Sequence, residues 1–281
     1  MNLGVSLQAL AEQRKLQAEE VPDTEALNRI VATELVTALR VAVGAGRQLL
    51  VIVPVGPLDY SYWVEALNRE QLDGSALITV NMDEYLDDSG AWISLEHPLS
   101  FRQFMRASLF DGLEGKSRMP PENQVFPDPE EPDRVTDLLR NHGGADICYA
   151  GIGLSGHLAF NDPPGEKEST TDGMVRNSVT RKVTLPDVSR SQVCLCGTDG
   201  VWDLVPREAM TVGMRDILES KLIHVTLLRN WHAGLWRQAF FGPVTGRFPA
   251  SFLQEHPHVK VTATRLAAAP PAVHTALRVA M

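Results

Sequence analysis

The segment from residue 145 to residue 164 constrains the fold of this chain more than any other. It starts with a mainly apolar run of strand length, 145–150, and continues in a loop that carries three glycines and then His157. The run predicts a buried strand of a parallel sheet, and the glycines allow the exit loop to approach a ligand closely. Open α/β sheets bind ligands beyond the carboxyl ends of their strands. His157 and the following Asp162 are therefore predicted to lie at a binding site.

Strand-length apolar runs alternate along the chain with segments whose apolar residues follow helical spacing. Helices are predicted, for example, over 24–43 and 231–241. This alternation is typical of an α/β domain with a mainly parallel sheet and helices on both faces. The predicted strands are 49–53, 76–80, 145–150, 193–196, 209–212, 222–228 and 259–262.

The length of 281 residues suffices for one large α/β domain or two small ones, with a sizeable core. The sequence contains neither an internal repeat nor a long linker. Residues 1–22 are polar and only mildly amphipathic, and they are interpreted as an N-terminal extension. Residues 23–281 are predicted to form a single α/β domain.

Charge and hydropathy argue against two kinds of partner. The net charge is −9 and the basic residues form no long run, so nucleic acid is not an expected partner. No apolar stretch is long enough to cross a bilayer, and the N-terminus lacks the pattern of a signal peptide, so no membrane partner is expected. Cys148, Cys194 and Cys196 lie in apolar runs and are predicted to be buried free thiols in strands. A reduced, cytoplasmic compartment is expected.

The glycine loop matches the G-x-G-x-x-G pattern of dinucleotide-binding sites over 151–156. In such sites the third glycine opens a long helix whose amino end holds the pyrophosphate. Pro163 and Pro164 would stop a helix within two turns of this loop. The dinucleotide interpretation is therefore disfavoured.

Two other chemistries fit the residues poorly. Ser155 precedes Gly156 and His157, but the strand–turn–helix of a nucleophile elbow is absent, and the histidine is not expected to reach so near a neighbour well. The other histidines considered lack the spacing of a closed metal site, so no metal is predicted. They are His97, His142, His256 and His258.

Asp83 and Glu84 follow soon after the predicted strand 76–80. Because parallel strands end at one edge of a sheet, these acids are expected to converge with His157 and Asp162. An imidazole that exchanges protons, oriented by a carboxylate, is a workable acid–base set. Solvated surface charge or helix capping is the alternative interpretation of the adjacent acids.

Three segments in collinear order, 81–85, 97–101 and 151–163, together resemble the glucosamine-6-phosphate deaminase family, also called glucosamine-6-phosphate isomerase. Their sequences are Asn-Met-Asp-Glu-Tyr, His-Pro-Leu-Ser-Phe and Gly-Ile-Gly-Leu-Ser-Gly-His-Leu-Ala-Phe-Asn-Asp-Pro. The resemblance spans roughly residues 25–265, whereas the related 6-phosphogluconolactonases share the glycine–histidine element but not the first segment. It implies a Rossmann-like three-layer fold with a mainly parallel sheet and helices on both faces.

The resemblance also implies acid–base chemistry that uses neither a metal nor an organic cofactor. Glucosamine 6-phosphate would be converted to fructose 6-phosphate and ammonia. His157 would assist ring opening with Asp162 as its orienting acid, and Asp83 would carry a proton from C2 to C1. Glu84 would be a supporting acid. Ser155 stands where the family has a catalytic aspartate, and Asp162 is one methylene shorter than the family's glutamate.

The substrate contacts implied by the resemblance depart from the family in detail. The family's phosphate loop corresponds to 54–59, which has one glycine, no hydroxyl and an acid. His232 occupies the approximate place of the family's lysine, and two arginines and a lysine supply the remaining positive charge, with solvated surface as their alternative. The predicted substrate-binding residues are Gly56, Glu84, Gly153, Gly156, Arg181, Lys182, Arg190 and His232.

The leading hypothesis is a sugar-phosphate deaminase or isomerase with a small-molecule sugar phosphate as substrate. One alternative is a catalytically impaired sugar-binding or regulatory homologue, because Ser155 and the loop 54–59 depart from the family pattern. Another is an isomerase or hydrolase that acts on a different or unphosphorylated sugar. Relatives are often oligomers, and the sequence leaves open whether this chain forms a homo-oligomer.

Overall fold

The computed structural model describes residues 4–272 of the chain. Its strands are β1 (Gln17–Val21), β2 (Leu49–Val53), β3 (Leu77–Asn81), β4 (Asp83–Leu86), β5 (Gln124–Val125), β6 (Ile147–Ala150), β7 (Arg181–Thr184), β8 (Glu208–Thr211), β9 (Ile223–Leu227) and β10 (Val259–Thr264). Its α-helices are α1 (Leu7–Arg14), α2 (Thr24–Gly44), α3 (Ser61–Glu70), α4 (Phe101–Ser108), α5 (Arg134–Asn141), α6 (Asp172–Arg176), α7 (Asp187–Gly197), α8 (Met214–Leu218), α9 (His232–Phe241) and α10 (Arg265–Ala268). Short 3-10 helices lie at Gly74–Ala76, Phe110–Gly112, Gly115–Ser117, Pro121–Asn123, Trp202–Leu204 and Pro249–Glu255.

The main sheet has seven strands in the order β1-β10-β9-β6-β2-β3-β5, and every neighbouring pair is parallel. Strands β2, β3, β6 and β9 are buried along their whole length. Strands buried on both faces need apolar side chains on both faces, which is why they appear in the sequence as continuous apolar runs. The prediction of an α/β fold with a mainly parallel sheet is confirmed.

Alternate residues of the central strand β2 enter two separate cores, one on each face of the sheet. Leu50 and Ile52 belong to a core that includes Trp236 of α9. Val51 belongs to a core that includes Leu35 of α2. Successive side chains of a strand point to opposite faces, so helices cover both faces of this sheet, as predicted.

Helix α2 lies against the sheet through one apolar face. Asp23 Oδ1 accepts a hydrogen bond from Ala26 N at 2.9 Å and thereby starts the helix. Leu27, Val31 and Leu35 recur four residues apart and are buried. No helix within residues 4–272 is long and apolar enough to cross a membrane.

A second, antiparallel sheet of three strands, in the order β4-β8-β7, follows the end of β3. It has its own small core, which includes Tyr85, Phe160 and Leu185. The sequence pattern predicted a strand near β8 but did not separate this sheet from the parallel one. The consequence for the site is that Asp83 begins β4 and lies opposite Thr211 of β8.

The strand predicted at 193–196 is wrong, because these residues belong to α7. A short apolar run does not distinguish a strand from a helix segment. Asp187 in the first turn favours a helix start through its interaction with the helix dipole. Cys194 is buried as predicted, whereas Cys196 is exposed.

The predicted boundary between an extension and a domain at residue 22 does not match the sheet. Strand β1 pairs in parallel with β10 along its full length, and it forms one edge of the seven-stranded sheet. Leu7 and Leu10 of α1 are buried in the main core. The described part of 1–22 is therefore integral to the fold, while residues 1–3 and 273–281 lie outside the described chain.

Candidate active site

A cavity of about 380 Å³ opens where four neighbouring strands of the main sheet end. Residues that follow β2, β3, β6 and β9 line it, and α4 and α7 complete its walls. The lining includes Pro54, Val55, Gly56, Pro57, Asp83, Phe101, Phe104, Gly153, His157, Gln192, Cys196, Arg229, Trp231 and His232.

A larger depression of about 730 Å³ lies at the opposite edge of the sheet, between α2 and the amino ends of the strands. It contains none of the residues that the sequence assigned to the site. Among residues 4–272, no three side chains of His, Cys, Asp or Glu come together in an arrangement that could hold a metal ion. We therefore take the cavity at the carboxyl ends of the strands as the candidate site.

His157 is held at the cavity through one of its two ring nitrogens. Its Nδ1 lies 3.0 Å from Asp162 Oδ1, 2.8 Å from Ser155 Oγ and 3.1 Å from Ser189 Oγ. The carboxylate favours the tautomer with a proton on Nδ1, which leaves Nε2 as the nitrogen that can act on a ligand. The expectation that His157 reaches Ser155 poorly is wrong, because a tight turn brings the hydroxyl back to the ring.

Two glycines of this loop are required by close contacts. A Cβ atom on Gly153 would lie 1.9 Å from His157 Nε2. Gly156 has φ +83°, and a Cβ atom there would lie 2.4 Å from the ring of Phe248. The chain then continues without a helix until α6, so the loop lacks the helix that a dinucleotide site needs. The two glycines therefore allow the close packing that holds His157 and its loop in place.

Asp162 is buried and receives several donors on one oxygen. Ser155 Oγ and Ser189 Oγ donate to its Oδ1 at 2.6 and 2.5 Å. Burial by itself would raise the pKa of Asp162, but the hydrogen bond and charge of His157 and the two hydroxyl groups together hold this pKa below its usual value. Asp162 Oδ2 is buried without a hydrogen-bond partner among the described residues. The acid is therefore suited to stay ionised and to stabilise a protonated His157.

Ser189 is a site residue that the sequence analysis missed. It lies in α7, 27 residues after Asp162, and is almost completely buried. No local pattern links a serine in a polar segment to a distant histidine. The packing of α7 against the loop after β6 is what brings it to the site.

Asp83 is a buried carboxylate at the wall of the cavity. Its Oδ1 accepts a hydrogen bond from Phe160 N at 3.1 Å. Burial raises the pKa of Asp83 to about 7, even though the hydroxyl of Thr211, the amide of Phe160 and the charge of His157 lower it, and the charge of Asp162 adds to the rise. Both protonation states of this acid are therefore accessible near neutral pH.

Glu84 has a different role from the one that the sequence analysis assigned to it. Its carboxylate is buried and accepts hydrogen bonds from Phe101 N at 3.1 Å, Arg102 N at 2.8 Å and Arg102 Nε at 3.0 Å. It does not line the cavity. Glu84 caps the amino end of α4, which is the alternative interpretation of the adjacent acids, because successive residues of β4 point to opposite faces.

The three cationic residues predicted to bind substrate lie outside the cavity. Arg181 Nη1 donates to Asn161 Oδ1 at 2.8 Å, and Lys182 forms an ion pair with Glu208 at 2.6 Å. Arg190 stacks over the ring of Trp202 at 4.2 Å and donates to the carbonyl of Val205. Their charges are engaged within the small antiparallel sheet and α7, so the prediction that they contact substrate is corrected.

His232, which the sequence predicts to bind substrate, lines the cavity, but it is not a cation there. Its Nδ1 accepts hydrogen bonds from Leu228 N at 3.0 Å and Arg229 N at 3.1 Å. Burial, together with the charge of Arg229, lowers the pKa of His232 to about 3. His232 is therefore neutral and does not replace a lysine, whereas the neighbouring Arg229 lines the cavity as a cation.

Comparison with known proteins adds a family relationship to this geometry. No family model matches the chain. The chain is 33% identical over 224 residues to glucosamine-6-phosphate deaminase 2 of Bacillus subtilis, and the match covers 76% of this chain and 81% of that protein. It is also similar to the solved structure of a monomeric glucosamine-6-phosphate deaminase, with a TM-score of 0.76, 26% identity and coverage of 90% and 99% of the two chains.

The fold is shared more widely. The 6-phosphogluconolactonase of Plasmodium vivax matches with a TM-score of 0.64 over 92% of this chain and 96% of that one, at 16% identity. This likeness concerns the fold alone. The identity to the curated relative over most of both chains is the stronger relationship, and it agrees with the motifs around Asp83 and His157. The chain belongs to the glucosamine-6-phosphate deaminase family.

Proposed function

We propose that this protein converts a 2-amino aldose to a 2-ketose and ammonia by acid–base catalysis. Glucosamine 6-phosphate, the compound in the name of this protein's relatives, is the first substrate to test. The observation that carries the proposal is that Asp83 and His157 line one cavity although they follow different strands. One is a buried acid with a pKa near 7, and the other is an imidazole backed by a carboxylate.

Ring opening is the first step of the proposed reaction, and it needs proton transfer to the ring oxygen. His157 Nε2 would take the proton of the anomeric hydroxyl and return a proton to the ring oxygen as the C1–O bond of the ring breaks. Asp162, which contacts Nδ1 at 3.0 Å, would stabilise the imidazolium that forms in between. The result is the open-chain aldehyde with its amino group on C2.

Asp83 would then carry the proton between carbon atoms. Its carboxylate takes the proton from C2 while one proton of the C2 ammonium group passes to the C1 oxygen, which leaves a neutral enolamine. Asp83 then returns its proton to C1, which leaves an iminium at C2. Water hydrolyses this iminium to the ketone and ammonia in its protonated form. A pKa of about 7 suits an acid that accepts and releases one proton within each turnover.

The experiment that tests the proposal measures ammonia and ketose formation from glucosamine 6-phosphate and from free glucosamine. We expect Asp83→Asn to lower kcat by roughly 10²- to 10⁴-fold, because the shuttle can no longer accept a proton. Asp87→Asn is the matched control. Asp87 follows the same strand, is exposed and accepts hydrogen bonds from its own loop, for example from Ser89 N at 2.8 Å, and it lies outside the cavity.

A ligand-binding protein without turnover is the second candidate function, and Ser155 is the observation that favours it. The hydroxyl of Ser155 supplies no carboxylate at the position of the family's aspartate. Absence of product from either sugar, combined with a rise in the unfolding midpoint on adding the same sugars, would support this candidate and contradict the deaminase.

A further inference from the structure

The amino end of α3, which follows the turn after β2, is closed by a carboxylate of the protein itself. Asp59 Oδ1 accepts a hydrogen bond from Ser61 N at 3.0 Å, and the Asp59 amide is held by Asn28 Oδ1 at 3.1 Å. Free N–H groups and the helix dipole make a helix amino end favourable for phosphate. Asp59 already accepts a hydrogen bond from one of these N–H groups and adds a negative charge of its own. Binding of a phosphate dianion at this helix end is therefore disfavoured.

The turn itself offers few hydrogen-bond donors. Pro54 and Pro57 have no N–H, and no side chain from residue 54 to residue 58 carries a donor. The backbone amides of Val55 and Gly56 are the N–H groups that remain among the four lining residues of the turn. The hydroxyl of Tyr60 is already engaged, because it donates to the carbonyl of Pro54.

The remainder of the cavity adds one permanently cationic side chain, while Gln192 and Trp231 add neutral donors. Its described lining contains no serine, threonine or lysine, and Arg229 is its single arginine. Arg229 is exposed to solvent, where one charge pair contributes little. Asp83 supplies a carboxylate to the same cavity. A phosphate dianion bound here would exchange its hydration for mainly neutral donors and one exposed cation, beside a carboxylate, and its binding is therefore disfavoured.

Apolar side chains dominate the walls that the turn shares with α4 and the segment after β9. Val55, Leu99, Phe101, Phe104 and Trp231 all line the cavity. Phe104 is 43% exposed in the described structure, so an apolar group in the cavity would cover it. Ligand sites with this composition favour apolar ligand surface with a few polar contacts for orientation.

We propose that the cavity takes a 2-amino sugar whose substituent at C6 is uncharged and apolar instead of a phosphate. The inference rests on the proposed function and narrows its substrate class. With C1 and C2 held at Asp83 and His157, the far end of the hexose reaches the wall formed by the turn and the aromatic side chains.

The test compares kcat/KM for glucosamine 6-phosphate, glucosamine and 6-O-benzylglucosamine, measured by ammonia release. We expect the benzyl ether to exceed the phosphate by roughly tenfold or more, because apolar groups that fit such a wall discriminate by about this factor. A higher kcat/KM for the phosphate than for the benzyl ether overturns the inference while leaving the proposed deaminase intact.

A variant of Asp59 tests whether the carboxylate at the amino end of α3 contributes to this preference. Asp59→Asn keeps a capping oxygen but removes the charge, and we expect it to raise kcat/KM for the phosphate relative to the benzyl ether by about two- to fivefold. Asp73→Asn is the matched control, since Asp73 Oδ1 accepts from Ser75 N with the same 3.0 Å distance, whereas Asp59 comes two residues after the cavity-lining Pro57 and Asp73 does not adjoin a lining residue. An unchanged ratio in Asp59→Asn, or an equal change in Asp73→Asn, counts against the inference.

A binding experiment separates the failure of this inference from the failure of the proposed function. The reduced, non-reacting sugars 2-amino-2-deoxyglucitol 6-phosphate and its 6-O-benzyl counterpart are added to the full chain, and the unfolding midpoint is measured. We expect the benzyl compound to raise the midpoint more at equal concentration. If the phosphate compound raises it more, the inference is wrong, whether or not any sugar releases ammonia.

Discussion

Two loops of this protein leave neighbouring strands of the same sheet and end in the same cavity, yet they carry different kinds of chemistry. Strands β2 and β6 are paired in parallel, with Val51 opposite Ile147. The loop after β6 brings Ser155, His157 and Asp162 into contact with one another. The turn after β2, residues 54–57, presents backbone and apolar groups to the cavity instead.

This difference shows that the parallel sheet determines where the cavity lies, whereas the loops that follow its strands determine which chemical groups line it. In the turn, the polar groups are satisfied inside the protein, as the bonds of Asp59 and Tyr60 show. In the loop after β6, His157 Nε2 and Asp162 Oδ2 have no described hydrogen-bond partner. We infer that the reacting end of the ligand belongs to the second loop and its variable end to the first.

The largest effect is expected when the loop after β6 is forced to change shape. In Gly153→Ala the new methyl group would lie 1.9 Å from His157 Nε2, so the ring must leave its contact with Asp162. We expect kcat/KM for ammonia release to fall by about 100-fold or more, because displacements of this size disrupt catalysis.

Gly151→Ala is the control for that variant in the same loop. Its methyl group would have Pro57 Cδ as its neighbour at 3.8 Å, an ordinary contact with the other loop. Gly151 also lines the cavity, but its methyl group requires no neighbouring atom to move, so we expect activity within about threefold of the unmodified protein. Equal losses of activity in Gly153→Ala and Gly151→Ala would contradict the inference that activity depends on the contact of His157 with Asp162.

A smaller and graded effect is expected from pH. Because Asp83 must be ionised to accept the C2 proton and its pKa is about 7, kcat/KM rises about tenfold per pH unit below pH 7 and levels off above it. A profile that is flat from pH 5 to pH 8 in ammonia release would exclude Asp83 as the base, and the loop after β6 would then have to supply it.

The same pKa has a consequence for stability with a defined sign. Burial raises the pKa of Asp83 from 3.8 to about 7, so folding favours the protonated acid, and this contribution is lost as the pH rises through 7. We expect Asp83→Asn to unfold at the same denaturant concentration as the unmodified protein at pH 4. At pH 8 we expect the variant to be more stable, by roughly 4 kcal/mol at most.

The smallest effect is expected from the hydroxyl groups that support Asp162. Ser155→Ala removes one donor, but Ser189 Oγ still donates to the same oxygen at 2.5 Å. We expect kcat to fall by about tenfold or less with KM unchanged. The double variant Ser155→Ala/Ser189→Ala is expected to lose more than the product of the single effects, because the two groups share one acceptor.

Ser108→Ala is the control for these serine variants, because Ser108 Oγ donates to the carbonyl of Phe104 within α4 and Ser108 is only half-buried. A change in kcat for this control equal to that for Ser155→Ala would indicate a general loss of stability. Additive effects of Ser155→Ala and Ser189→Ala would mean that the two hydroxyl groups act independently of each other, which would contradict the shared role at Asp162.

The central strands of the fold could be read from the chain because they are buried on both faces. Continuous apolar runs at β2, β3, β6 and β9 have few structural alternatives in a domain of this size. The run at 193–196 was misassigned because four apolar residues fit a helix as well as a strand. The edge strand β1 has mixed burial, and for that reason its sequence pattern was too weak to predict it.

The candidate site, like the fold, could be predicted from the sequence only in part. That Asp83, His157 and Asp162 meet follows from local sequence, because each comes soon after a strand and parallel strands end at one edge. That Ser189 joins them, that Glu84 caps α4, and that Arg181 lies outside the lining of the cavity depends on how α7 and the antiparallel sheet pack. Strand ends are positioned by backbone hydrogen bonds, which any suitable apolar run can form. The partners of a buried polar side chain are set by contacts between segments far apart in the chain, and these exist only in the folded protein.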